Sequence, residues 1–139
     1  MATVVNIALR VLSWIVTFMF LMASLIKVCP FIPHMHAEMA KEFVKLAEVC
    51  PTAWFGYIPP SYIYMVTVGA WELFCVVGLF TTGLRKTCYA ILTVIMIGAI
   101  YSHAALNDYK GLPVPTFMLV ACSVLFLSSS SQPEKMKRN

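Results

Sequence analysis

Four long apolar runs decide what this chain can become. They cover residues 5–26 (VNIALRVLSWIVTFMFLMASLI), 61–83, 88–106 (CYAILTVIMIGAIYSHAAL) and 112–130 (LPVPTFMLVACSVLFLSSS). Each is close to the ~20 residues a helix needs to cross hydrocarbon. In lipid every backbone polar group must be paired within the chain, and runs this long do not suit barrel strands. The expectation is an all-α fold, an integral membrane four-helix bundle in a single domain, 1–139. Composition agrees: 60% of residues are hydrophobic and 12% are charged, against roughly 25% charged in an average chain. A soluble domain this short has too much surface for that balance.

The punctuation between the runs fits four spans. Cys29-Pro30 and Pro33 close the first; Pro59-Pro60 precede Ser61, a candidate cap for the second. Gly83 with Arg85-Lys86 turns the second run into the third, and 107–113 turns the third into the fourth. A cleaved leader is the alternative for the first run. Its apolar stretch after Arg10 exceeds the 7–15 residues typical of a signal core, and Lys27 follows where an interfacial anchor sits.

Between the first two runs lies the one sizeable polar connection. Its segment 34–50, HMHAEMAKEFVKLAEVC, has helical period. Met35, Met39, Phe43, Leu46 and Cys50 make one stripe, and Glu38, Lys41, Glu42, Lys45 and Glu48 cover the rest. This predicts an amphipathic interfacial helix with its stripe on lipid or on the bundle. A sharper alternative makes Met35, Met39, Phe43 and Leu46 a docking surface for a client protein.

Four spans put both termini on one side. That side carries Arg10, Arg85, Lys86, Lys135, Lys137 and Arg138; the other carries Lys27, Lys41, Lys45 and Lys110. The excess favours cytosolic termini. Lys137 and Lys135, third and fifth from the end of the short basic tail 131–139, resemble a dilysine signal for retrieval to the endoplasmic reticulum. Residues 28–60 then form a lumenal loop. In that oxidising compartment Cys29 and Cys50 either bridge or stay as free thiols. Five cysteines without a CxxC, and histidines at 34, 36 and 103, do not make a metal site. No metal, no cofactor and no nucleic-acid partner is expected; the net charge of +4 is scattered between and after the apolar runs.

The sharpest feature inside the membrane is Glu72, in VTVGAWELFCVVGLF. An acid at the centre of a span costs roughly 2.5–3.5 kcal/mol and is a functional hypothesis by default. It lies about eleven residues, or about 16 Å, below the start of its helix. Counting equal depths from the helix ends places Thr17, Thr93 and Ser123 at its level. These hydroxyls suit a neutral carboxyl. Lys27 and His103 count out higher, so a direct Lys27–Glu72 pair requires offset helices or water. Two readings stay open. Glu72 is a packing residue, with Gly69 and Gly78 allowing close helix approach, or it belongs to a polar pocket of Lys27, Glu72, His103, Thr17 and Ser123.

The segments FMFLMASLIKV, EFVKLAEVCPTAWFGYIPP, VGAWELFCVVGLF and MIGAIYSHAALNDYKG resemble the DoxX-like superfamily of four-helix membrane proteins. Within it they are most similar to the transmembrane protein 35 family, which includes a nicotinic acetylcholine receptor chaperone. Gly69, Glu72 and Lys27 are its most recognisable marks; His103 and Asp108 match the receptor-chaperone branch, while the far shorter tail departs from it and FGYIPP looks more like the second branch. The resemblance implies a non-enzymatic endoplasmic-reticulum chaperone that assists assembly of multi-pass membrane proteins. Its partners would be membrane-protein clients, acetylcholine receptor subunits among them, within the lipid bilayer. The competing functions are a membrane subunit tied to quinone redox chemistry, and a small-molecule or lipid binder using a pocket around Glu72.

Overall fold

The computed structural model describes residues 2–81 and 83–130. Among them there is no strand. Five α-helices follow in order: α1 (Ala2–Val28), α2 (Pro33–Glu48), α3 (Ser61–Leu79), α4 (Arg85–Ala105) and α5 (Pro113–Ser130), with short 3₁₀ turns at Pro51–Phe55 and Tyr109–Gly111. Helices α1, α3, α4 and the α5 region are long and apolar enough to cross a membrane. Lys135 and Lys137 lie outside the described residues.

The boundaries move for local reasons. Helix α3 ends at Leu79, where the amides of Phe80 and Thr81 bond back to Val77 and Gly78. Arg85 opens α4 three residues before the expected start, and its Nε donates to the Leu79 carbonyl at 3.2 Å. That bond satisfies one of the orphan acceptors at the end of α3. Ser61 is not a cap: Pro60 holds the cap position and no side chain bonds there. Proline at α2's first position fits because its missing N–H would be unpaired in any residue there.

The spanning helices form a ring in chain order, α1–α3–α4–α5, with α1 closest to α3 and α4 closest to α5. Val16, Phe20, Cys75, Leu92, Met118 and Cys122 fill its centre. Large apolar side chains also point outward along every span, as with Trp14, Phe74, Val94 and Leu127. In a soluble protein these would be liabilities; against lipid they are solvated by like material.

Two contacts fix the heights of the helices. A Cβ built on Gly69 would lie 2.7 Å from Lys27 Cβ, so Gly69 is level with the end of α1. Gly78 lies against the Cys88 thiol, which puts Ser61 level with the last turn of α4. Helix α1 therefore stops about seven residues, or about 10 Å, short of the ends of α3 and α4.

Helix α2 fills that step. Its Phe43 is buried against Tyr64 of α3, ring centroids 5.4 Å apart. His36 Nδ1 bonds the Ile26 carbonyl at 2.7 Å, capping the end of α1. The apolar stripe of α2 thus faces the bundle. Phe43 is buried, Met39 and Leu46 are half-buried, and Met35 alone of the four is exposed. The stripe lies on the bundle, one of the two covers expected for an interfacial helix, and the alternative docking face keeps only Met35 exposed.

Candidate functional site

Lys27 and Glu72 meet directly. Lys27 Nζ donates to Glu72 Oε1 at 2.9 Å and Oε2 at 2.7 Å, with the two side chains 10% and 1% exposed. Two features bring them together. First, Lys27 is level with Gly69, one turn from Glu72 on the same face of α3. Second, helical side chains lean toward their own N-terminus. Helices α1 and α3 are antiparallel, so the lysine leans into the span and the glutamate leans to meet it. Gly69 makes the approach possible: a built Cβ there would also sit 2.9 Å from Val28 Cγ2 and 3.3 Å from the Ser24 carbonyl. The glycine–x–x–glutamate on α3 and the lysine on α1 are one packing unit.

The equal-depth count fails because it assumed that all helices end at one height. The hydroxyls it placed beside Glu72 serve their own helices instead. Thr17 donates to Ser13 O, Thr93 to Tyr89 O and Ser123 to Leu119 O, at 2.7, 2.7 and 2.8 Å. This is the usual back-bonding of hydroxyl residues in apolar helices. No buried side-chain nitrogen or oxygen among the described residues lacks a partner.

His103 belongs to a separate place. It lies near the end of α4, about 13 Å along the axis from Glu72. Its Nδ1 pairs with Asp108 Oδ2 at 3.1 Å, and Asp108 Oδ1 accepts from the Gly111 amide at 3.3 Å. Gly111 packs so tightly on the His103 ring that a Cβ would fall 2.6 Å from Nδ1. Asn107 makes the turn with φ +55°, a left-handed conformation that asparagine tolerates. His103, Asn107 and Asp108 face Glu42, Lys45 and Leu46 of α2 across a polar cleft of about 380 Å³. The five expected pocket residues thus divide into an ion pair, a cleft histidine and two helix-bonded hydroxyls.

Gly78 admits the Cys88 thiol between α3 and α4, as a helix-packing glycine should. Cys29 and Cys50 do not bridge: both are free thiols, one exposed and one buried, and Cys50 accepts a hydrogen bond from Thr52 Oγ1 at 3.3 Å. In the folded protein a maleimide should label Cys29 quickly and the other four cysteines only after denaturation. Mass spectrometry of labelled peptides reads this directly; protection of Cys29 would contradict the exposed thiol.

Sequence reasoning missed two contacts at the α2 end. Trp54 Nε1 donates to Tyr101 Oη at 3.0 Å, with the rings edge to face at 5.5 Å. His36 caps α1. The first joins residues 47 positions apart and the second crosses the turn between α1 and α2, and neither has a local pattern that announces it.

The DoxX-like family model matches residues 11–125. The chain belongs to the DoxX-like family. The matched segment holds the Lys27–Glu72 pair, all of α2, α3 and α4, and most of α1 and α5. No curated protein and no solved structure matches. Family membership and the four candidate spans make this a membrane protein of the DoxX-like type.

Proposed function

We propose that this DoxX-like protein is a non-enzymatic chaperone of the endoplasmic-reticulum membrane that helps multi-pass clients, such as nicotinic acetylcholine receptors, to assemble. The observation that carries this reading is the closed Lys27–Glu72 pair. The deepest charges neutralise each other and bind α1 to α3, so they act as a joint and not as a reaction centre. The resemblance to the transmembrane protein 35 family, marked by those same residues and Gly69, supplies the client class. The basic residues at the end opposite α2 support cytosolic termini and a lumenal α2.

With the α2 stripe packed inward, the client-facing surface is better sought in the Pro51–Phe55 turn and the residues after it. Phe55 is 89% exposed, and Tyr57 and Ile58 are exposed beside it. Among the described residues no ring-to-ring contact involves Phe55 or Tyr57, which suits adaptable contact with a partner.

Co-expression tests this. Receptor subunits expressed with the wild-type chain should reach the cell surface in greater number, read by labelled-ligand binding on intact cells. A Phe55→Ala/Tyr57→Ala double variant should accumulate normally yet lose most of that gain. Unchanged surface levels on both deletion and overexpression would rule the reading out. Quinone or haem absorbance in the purified protein would favour the redox alternative.

A further inference from the structure

A second feature, independent of the proposed function, lies on the outer face between α3 and α4. Val68 and Trp71 of α3 and Ala90, Ile91, Val94 and Ile95 of α4 line an apolar groove of about 480 Å³. That is within the roughly 300–1,000 Å³ of small-molecule sites. It opens sideways between two spanning helices, so its occupant comes from the bilayer. On α4 the groove face continues by helical spacing through Gly98 to Tyr101. A Cβ built on Gly98 meets nothing within 4 Å, so the glycine extends the open space. The lined groove runs about 8 Å, from Ala90 to Ile95, and the same face of α4 reaches Tyr101 about 16 Å from Ala90.

Its end is roofed. Trp54 hangs from the Pro51–Phe55 turn onto Tyr101, and its indole N–H occupies one acceptor position of the phenol. The Tyr101 hydroxyl keeps its own proton to donate. On α3, Tyr64 lies one and two turns before Val68 and Trp71 and carries Phe43. All four roof residues are uncharged. A phospholipid held here would place its phosphate against groups without positive charge. A lipid with a rigid apolar body and one neutral hydroxyl at its end meets every requirement: β-branched, stiff walls, a planar indole flank, and one polar contact at the roof.

We propose that the α3–α4 groove is a sterol site, with the sterol hydroxyl at Tyr101 under Trp54 and the ring system along Val94, Ile91 and Trp71.

A photoreactive cholesterol analogue, applied to the full-length protein in phosphatidylcholine nanodiscs, tests this. Labelling should map to α3 and α4 peptides and fall on addition of unlabelled cholesterol, while extra phosphatidylcholine leaves it unchanged. Gly98→Leu, whose first carbon meets nothing within 4 Å, should cut labelling about tenfold, the effect of displacing a few methylene contacts. Trp54→Ala, outside the spans, should also reduce it and serves if Gly98→Leu fails to give monodisperse protein. Equal labelling of both variants and wild type overturns the site. Competition by phosphatidylcholine as strong as by cholesterol shows an acyl-chain groove instead, and labelling elsewhere on the bundle shows non-specific partition; either outcome also overturns it.

Discussion

Replacing Lys27 with methionine should cripple the protein, and replacing both Lys27 and Glu72 with apolar residues should largely restore it. The single change leaves a carboxylate, 1% exposed, without its cation. Breaking a buried pair by removing one partner costs about 3–5 kcal/mol, because the remaining charge stays desolvated. That is a large part of the 5–15 kcal/mol that holds a typical domain together. Glu72→Leu should cost a similar amount by stranding the lysine. Its longer stem gives it more freedom to reach the surface, so the loss should be somewhat smaller. The Lys27→Met/Glu72→Leu double variant removes both charges and keeps the volume, and such replacements are often neutral or better. Monodisperse yield and thermal inactivation midpoint in mild detergent are the measurements. If the double variant is as impaired as the worse single one, the pair does something besides joining helices. Client rescue by the stable double variant would show that the charges are dispensable for function as well.

Gly69→Leu should be nearly as damaging, with a loss of about 3 kcal/mol, at the upper end of overpacking effects. The first carbon alone meets Lys27 Cβ at 2.7 Å, and the Ser24 carbonyl behind it is backbone. A backbone atom cannot rotate away, so α1 and α3 must separate. Separation also stretches the ion pair, whose contacts are 2.7 and 2.9 Å. The two effects therefore couple. In a double-mutant cycle, Gly69→Leu should cost less in the Lys27→Met/Glu72→Leu background, since the overpacking remains but no short polar contact is left to break. Additive losses would mean that the helix approach and the ion pair are independent.

Much of the fold was legible because lipid leaves few options. Apolar length and backbone pairing define the spans, and proline and glycine mark most of the turns. The amphipathic α2 was equally plain from its period. Heights were not. Nothing local in FMFLMASLIKV says that α1 ends about 10 Å short of its neighbours; that follows from Gly69 packing on Lys27, a contact between residues 42 positions apart. Once the heights shift, Lys27 reaches Glu72, the hydroxyls lose their assigned partner and His103 separates from the pair. The α2 stripe shows a related ambiguity. An apolar face only demands cover, and here Tyr64 supplies it from within the chain.

The stepped end of the bundle also acts on the membrane around it. Above the end of α1, α2 presents Glu38, Lys41 and Glu48, all exposed, besides Glu42 and Lys45 at the cleft. In a bilayer, headgroups and water would follow those charges down on that flank, while α3 and α4 rise about 10 Å further on the other. Such a step would compress the bilayer along the α1 flank. Thickness mismatch costs a fraction of a kcal/mol per Å. Over a step of about 10 Å that strain is relieved whenever a neighbour with a short hydrophobic span settles on the compressed side.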